Sequence, residues 1–142
     1  IRGLVGSEMC IRDRYLYEEI IEEFPKQIGY YSKSPFDNKF FVEDLNSDES
    51  YLAGLGVDHH LSMDHWFKEI NNGFIQGNFN QESMVKAHDE FKKDFDLYID
   101  NFQNINEIDR AGWVCGLGHG ILKETPEENV HYFIENIRKI FS

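Results

Sequence analysis

The chain has 142 residues, of which 41% are hydrophobic and 28% charged, and its net charge at neutral pH is −12. So acidic a chain offers no basic footprint for nucleic acid, and no apolar run approaches the ~20 residues that span a bilayer. Its length is that of one domain.

From the amino terminus, 15–24 reads as the tail of a helix stopped by Pro25, and 28–32 as a short strand with a turn at Ser34-Pro35-Phe36. Residues 43–55 read as a helix with Leu45, Leu52 and Leu55 as packing positions and Gly56 as its stop. A second strand is expected over 57–62, unusually polar because of His59 and His60. Trp66, Phe67 and Ile70 then recur at helical spacing over 63–71, and 73–77 forms a third strand. The longest helix is expected over 81–102, where Met84, Ala87, Phe91, Phe95, Tyr98 and Phe102 make one apolar stripe. A fourth strand covers 112–116. The last helix has Thr125 as its N-cap, Pro126 in its first turn and Glu128 closing a Thr-x-x-Glu capping box. Val130, Phe133, Ile134, Ile137 and Phe141 supply its apolar face.

Four strands separated by helices imply parallel crossovers and an α/β fold. Alternation alone allows either a small doubly wound sheet or an arc of a barrel. Between the fourth strand and the last helix, His119 stands between Gly118 and Gly120, where backbone and ligand can approach closely.

Leu117-Gly118-His119-Gly120-Ile121-Leu122, followed by Thr125-Pro126 and Glu128-Asn129-Val130, resembles the carboxy-terminal signature of the uroporphyrinogen decarboxylase family. Phe74-Ile75-Gln76-Gly77-Asn78 is similar to the family's strand-plus-QGN segment, and Tyr30-Tyr31-Ser32-Lys33 to its YFSKG segment. Val57 to Asp64 stands where the family has a strand ending in an aspartate. The resemblance runs from about Tyr15 to the end of the chain. It implies the C-terminal half, about four β/α units, of a (β/α)8 TIM barrel.

Barrel chemistry sits at the carboxy-terminal ends of the strands. On the resemblance, His119 is the catalytic residue and binds substrate, with Gly118, Gly120, Asp64, Gly77, Asn78 and Lys33 as further substrate-binding positions. The implied activity is decarboxylation of the four acetate side chains of uroporphyrinogen III to coproporphyrinogen III in porphyrin and haem biosynthesis. It uses no metal and no organic cofactor, and the implied assembly is a homodimer. His119 is left with two roles, positioning a substrate carboxylate or transferring a proton. A substrate with eight carboxylates needs counter-charge, yet beyond residue 14 the only arginines are Arg110 and Arg138. The chain alone is therefore expected to be inactive.

Residues 3–14, GLVGSEMCIRDR, are similar to the translation of a transposase end used in sequencing libraries. Residues 1–14 are accordingly expected to lie outside the fold, leaving 15–142 as the C-terminal portion of the barrel. Cys115 then has no disulfide partner, which fits a cytoplasmic protein. His59, His60, His65, Asp58 and Asp64 are metal ligands by type, but strand alternation separates His59 from His60, and no metal site is expected. Two other readings compete. One is a fragment of the related zinc and corrinoid methyltransferases, which place a metal-binding cysteine where this chain has His119. The other is a non-enzymatic α/β module.

Overall fold

The computed structural model describes residues 11–32 and 39–141. Four short strands, β1 (Gly29–Tyr31), β2 (Gly54–Gly56), β3 (Phe74–Phe79) and β4 (Trp113–Leu117), form one sheet. They pair in chain order and every neighbour is parallel. A doubly wound sheet reverses its strand order at a switch point. This sheet has no reversal, so it winds as the wall of a barrel does.

The helices lie on one face. They are α1 (Ile11–Leu16), which runs into a π-helical turn at Tyr17–Ile21, α2 (Lys39–Leu45), α3 (Met63–Glu69), α4 (His88–Gln103) and α5 (Glu127–Phe141). Tyr30, Leu55, Ile75 and Trp113 share one register level and point into that layer. Tyr30 stacks on Phe41 at 3.7 Å, and the Trp113 ring lies 4.1 Å from Phe102. On the opposite face, aromatic rings lie across glycines: a Cβ on Gly54 would come within 2.4 Å of the Phe74 ring, and one on Gly56 within 2.8 Å of Tyr31. That face is bare, with Tyr31 and Val114 43% and 44% exposed. An arc of barrel wall has this asymmetry: helices outside, an open concave face within.

Two apolar clusters make the core. The first joins α2, α3 and the first three strands around Phe41, Leu45, Leu55, Trp66 and Ile75. The second gathers Phe79, Met84, Phe91, Phe95, Ile99 and Phe133 between β3, α4 and α5. The stripe read from the sequence is therefore core, with Ile99 added and the exposed Ala87 removed. Among the described residues, no helix is long and apolar enough to cross a membrane.

Three expected elements differ. The helix over 43–55 ends at Leu45, because Ser47 and Ser50 turn their hydroxyls onto the backbone N–H groups of Glu49 and Leu52, which competes with helical bonding. The second strand consequently begins and ends earlier than 57–62. Val57 N makes a last bond to Gln76 O (2.8 Å), and Asp58 to Leu61 form a loop leading to Ser62, which caps α3. The helix over 81–102 is broken between a 3₁₀ turn at Ser83–Val85 and α4. Asn129 Nδ2 takes the carbonyls of Met84 and Lys86, both at 2.9 Å, out of any helical ladder. The capping box at α5 is not formed. Thr125 Oγ1 is buried with no hydrogen-bond partner among the described residues, and the first helical bond runs from Val130 N to Pro126 O.

Candidate active site

The loops that follow the strands converge on one rim. Gly118 N donates to Phe79 O (2.7 Å), and Gly118 O accepts from Tyr31 Oη (2.6 Å), so the β4 loop is tied to β3 and β1 together. A Cβ on Gly118 would stand 2.7 Å from His59 N and 3.2 Å from Asp58 C. Only glycine lets the β4 loop lie this close against the β2 loop. Gly120 meets nothing within 4 Å. The two glycines flanking His119 therefore do different things, one fitting an approach and the other leaving space.

His119 completes a row of rings across the rim. Its ring lies 5.4 Å from His59 and 6.3 Å from Tyr31, edge-on to both. His59 in turn stacks on His60 at 4.6 Å. Gln81, after β3 and 6% exposed, brings Nε2 to 3.4 Å from His119 Nδ1. With the amide nitrogen donating, Nδ1 accepts and Nε2 carries the ring proton. His119 Nε2, His59 Nδ1 and Gln81 Oε1 are all buried without a partner among the described residues. Buried polar atoms are normally satisfied, and three orphans at one rim make it the candidate place for a polar ligand.

Asp58 underlies this row. It is 1% exposed, its Oδ1 accepts from His60 N (3.0 Å), and its Oδ2 lies 2.9 Å from His60 Nδ1. Burial, then the neighbouring His60 and His119, holds His59 below the ordinary histidine range. Burial, then the Asp58 charge, pushes the Tyr31 phenol up.

The other expected site residues are placed differently. Lys33 lies outside the described residues. Asp64 is exposed in the first turn of α3, paired with Lys68 at 2.6 Å. It lines a groove of about 750 Å³ between α3 and α4 that reaches His59 and Asn78 but not His119. The acid that meets the histidines is Asp58, two residues past the end of β2 and six before Asp64. Gly77 and Asn78 act beneath the rim. Asn78 Nδ2 donates to Asp58 O (2.7 Å) and Leu61 O (2.6 Å), pinning the β2 loop. Gly77 has φ +140, and a Cβ there would meet Val57 O at 2.5 Å. Both hold the loop that carries Asp58, His59 and His60. Gln81 and Tyr31 were not singled out in the sequence, since one read as helix start and the other as strand.

A cavity of about 260 Å³ on the concave face, lined by Tyr31, Gly56, Phe74, Gln76 and Leu117, opens beside this rim. Cys115 faces the helices and packs against the second cluster, where burial pushes its thiol up to about 12. The zinc reading needs a metal-binding cysteine at the rim, and Cys115 is not there. Arg110 sits below the sheet against Phe102 and Phe141, and Arg138 is in the last turn of α5.

A family model described as uroporphyrinogen decarboxylase (URO-D) matches residues 14–140. The chain is 31% identical over 137 residues to the uroporphyrinogen decarboxylase of Trichodesmium erythraeum, covering 89% of this chain and 36% of that protein. It is 28% identical over 116 residues to that of Chlamydia trachomatis, covering 81% and 33%. With that of Thermus thermophilus it shares 29% over 87 residues, covering 61% and 24%. The chain spans roughly a quarter to a third of the length of these relatives.

Proposed function

We propose, since the chain belongs to the uroporphyrinogen decarboxylase family, that residues 15–142 are the C-terminal part of a (β/α)8 barrel that decarboxylates uroporphyrinogen. We propose likewise that residues 1–14 are foreign to the family sequence, although α1 begins at Ile11 and Asp13 is buried. The whole protein removes carbon dioxide from the four acetate side chains of uroporphyrinogen III, leaving methyl groups, and acts in the cytoplasm as a homodimer.

The chemistry explains what the site must do. Breaking the bond to an acetate carboxyl leaves an electron pair on the methylene carbon. Protonation of the adjacent pyrrole carbon makes the ring an electron sink for that pair; a second proton then converts the methylene to methyl, and the ring carbon gives up the first proton to restore the pyrrole, so one proton is consumed for each carbon dioxide lost. The protein has to orient the carboxylate and deliver protons. His119 fits both tasks, with Nδ1 engaged by Gln81 and Nε2 free. The observation that carries this reading is the meeting of His119 with loops from β1, β2 and β3 at one rim.

The test is turnover by the full-length protein. Uroporphyrinogen, kept reduced, is expected to yield coproporphyrinogen, and His119→Asn to reduce kcat/KM by about 10²-fold or more. Residues 15–142 alone are expected to give no turnover. A His119→Asn protein as active as the unmodified one overturns the assignment of that residue.

A further inference from the structure

We infer that Asp58 and His60 form a carboxylate-binding dyad at the rim, with His60 supplying substrate counter-charge from this part of the barrel. The inference rests on the reading above, because a ligand bearing several carboxylates is what such a dyad would hold.

Four observations carry it. An Asx turn needs only one carboxylate oxygen, and Asp58 Oδ1 on His60 N already supplies it. The second oxygen is directed instead at the ring, 2.9 Å from Nδ1. A carboxylate at 1% exposure has to be paired. Among the described residues, the atoms that reach its oxygens are those two nitrogens of His60. The His60 side chain is itself 56% exposed, so engaging Nδ1 leaves the Nε2 edge available to ligand. Stacking on His59 fixes the plane of the ring.

Charge points the same way. Neither Arg110 nor Arg138 is at the rim, while Asp58 and Glu82 both act on His59 there. A polyanion arriving at this rim meets imidazoles. As imidazolium, His60 would donate Nδ1–H to Asp58 and Nε2–H to a substrate carboxylate, with His59 stacked beside it. Asp58 is a positioning residue and His60 a binding residue. Asp58 on its own loop and His59 stacked on it face His60, and His59 in turn faces His119 and Glu82.

The experiment measures binding of uroporphyrin, the oxidised and unreactive tetrapyrrole with the same carboxylates, to the full-length protein by fluorescence, at about pH 6 and about pH 8. Binding is expected to weaken roughly threefold to tenfold between the two, as one exposed charge-assisted bond is lost. His60→Gln should bind at pH 6 as weakly as the unmodified protein does at pH 8. His60→Lys, which keeps a cation, should bind tightly at both. Asp58→Asn preserves the turn but removes the charge behind the ring, and should weaken uroporphyrin binding at pH 6. Equal uroporphyrin affinity of His60→Gln and the unmodified protein at pH 6 overturns the dyad and leaves the decarboxylase reading standing. His60-dependent binding without turnover of uroporphyrinogen supports the dyad and overturns the decarboxylase reading instead.

Discussion

Substituting Gly118 by alanine tests whether the close approach of two loops holds the site together. The added methyl would sit 2.7 Å from His59 N, 3.1 Å from His59 Cβ and 3.2 Å from Asp58 C. Two of these atoms belong to the backbone and cannot swing aside. Relief therefore requires the β4 loop to move several tenths of an ångström away from the β2 loop, carrying His119 with it. Overpacking of this kind costs about 1–3 kcal/mol, or a fall in Tm of about 2–4 °C for each kcal/mol in a domain of barrel size. The catalytic effect should exceed the stability effect, since a displacement near 1 Å at a reacting group costs up to about 10²-fold in rate. The assay is kcat/KM for uroporphyrinogen and thermal melting of full-length Gly118→Ala, with Gly120→Ala beside it. At Gly120 the methyl enters open space, and stability should change by less than about 0.5 kcal/mol. If Gly118→Ala melts and turns over like the unmodified protein, the packed-loop account of the rim is wrong.

Two further predictions concern the frame around the site. Asn129 is fully buried and ties Met84 O, Lys86 O and His88 together. Asn129→Leu strands those groups and should destabilise by about 2–4 kcal/mol, read as a lowered urea midpoint; an unchanged midpoint refutes the clamp. His59 is held below its ordinary value of 6.5 chiefly by burial. The unfolded chain therefore takes up that proton first, so the contribution of His59 to stability is complete above 6.5 and is lost as pH falls toward the lowered folded value. His59→Gln should flatten the dependence of the urea midpoint between about pH 5.5 and about pH 7.5. A slope as steep as in the unmodified protein would place the titrating group elsewhere.

Much of the fold was legible because it is written in periodicity. The α4 stripe reads directly as core, since Phe91, Phe95 and Phe102 are all buried. The alternation of elements gives a parallel sheet. What periodicity did not carry is β2. Its three residues are two glycines around Leu55, and a glycine after a leucine reads as a helix stop as readily as a strand. The glycines are there because the Phe74 and Tyr31 rings lie over them, a cross-strand fact with no local signature. The Thr125 capping box failed for a similar reason. Its motif is present, but Asn129 turns inward to brace a separate segment, and Thr125 is left buried without a hydrogen bond to the helix it precedes.

The error at β2 propagated into the site. A strand placed over 57–62 makes Asp64 the acid at its end and sends His59 and His60 to opposite faces. Ending the strand at Gly56 makes Asp58 that acid and puts both imidazoles in a loop, where they stack. His119 keeps its expected place after β4, whose boundaries shift by only a residue. Asn78 of the QGN segment gives its amide to the carbonyls of Asp58 and Leu61 and so fixes the loop that carries the histidines. The chain thus divides labour between strand ends. The ends of β3 and β4 supply the atoms that fit, Asn78 and Gly118, and the loops they hold carry the row of His60, His59 and His119. A change at Asn78 or Gly118 should therefore alter catalysis through the placement of His59, His60 and His119, and a change at His60 should act on binding without moving the frame.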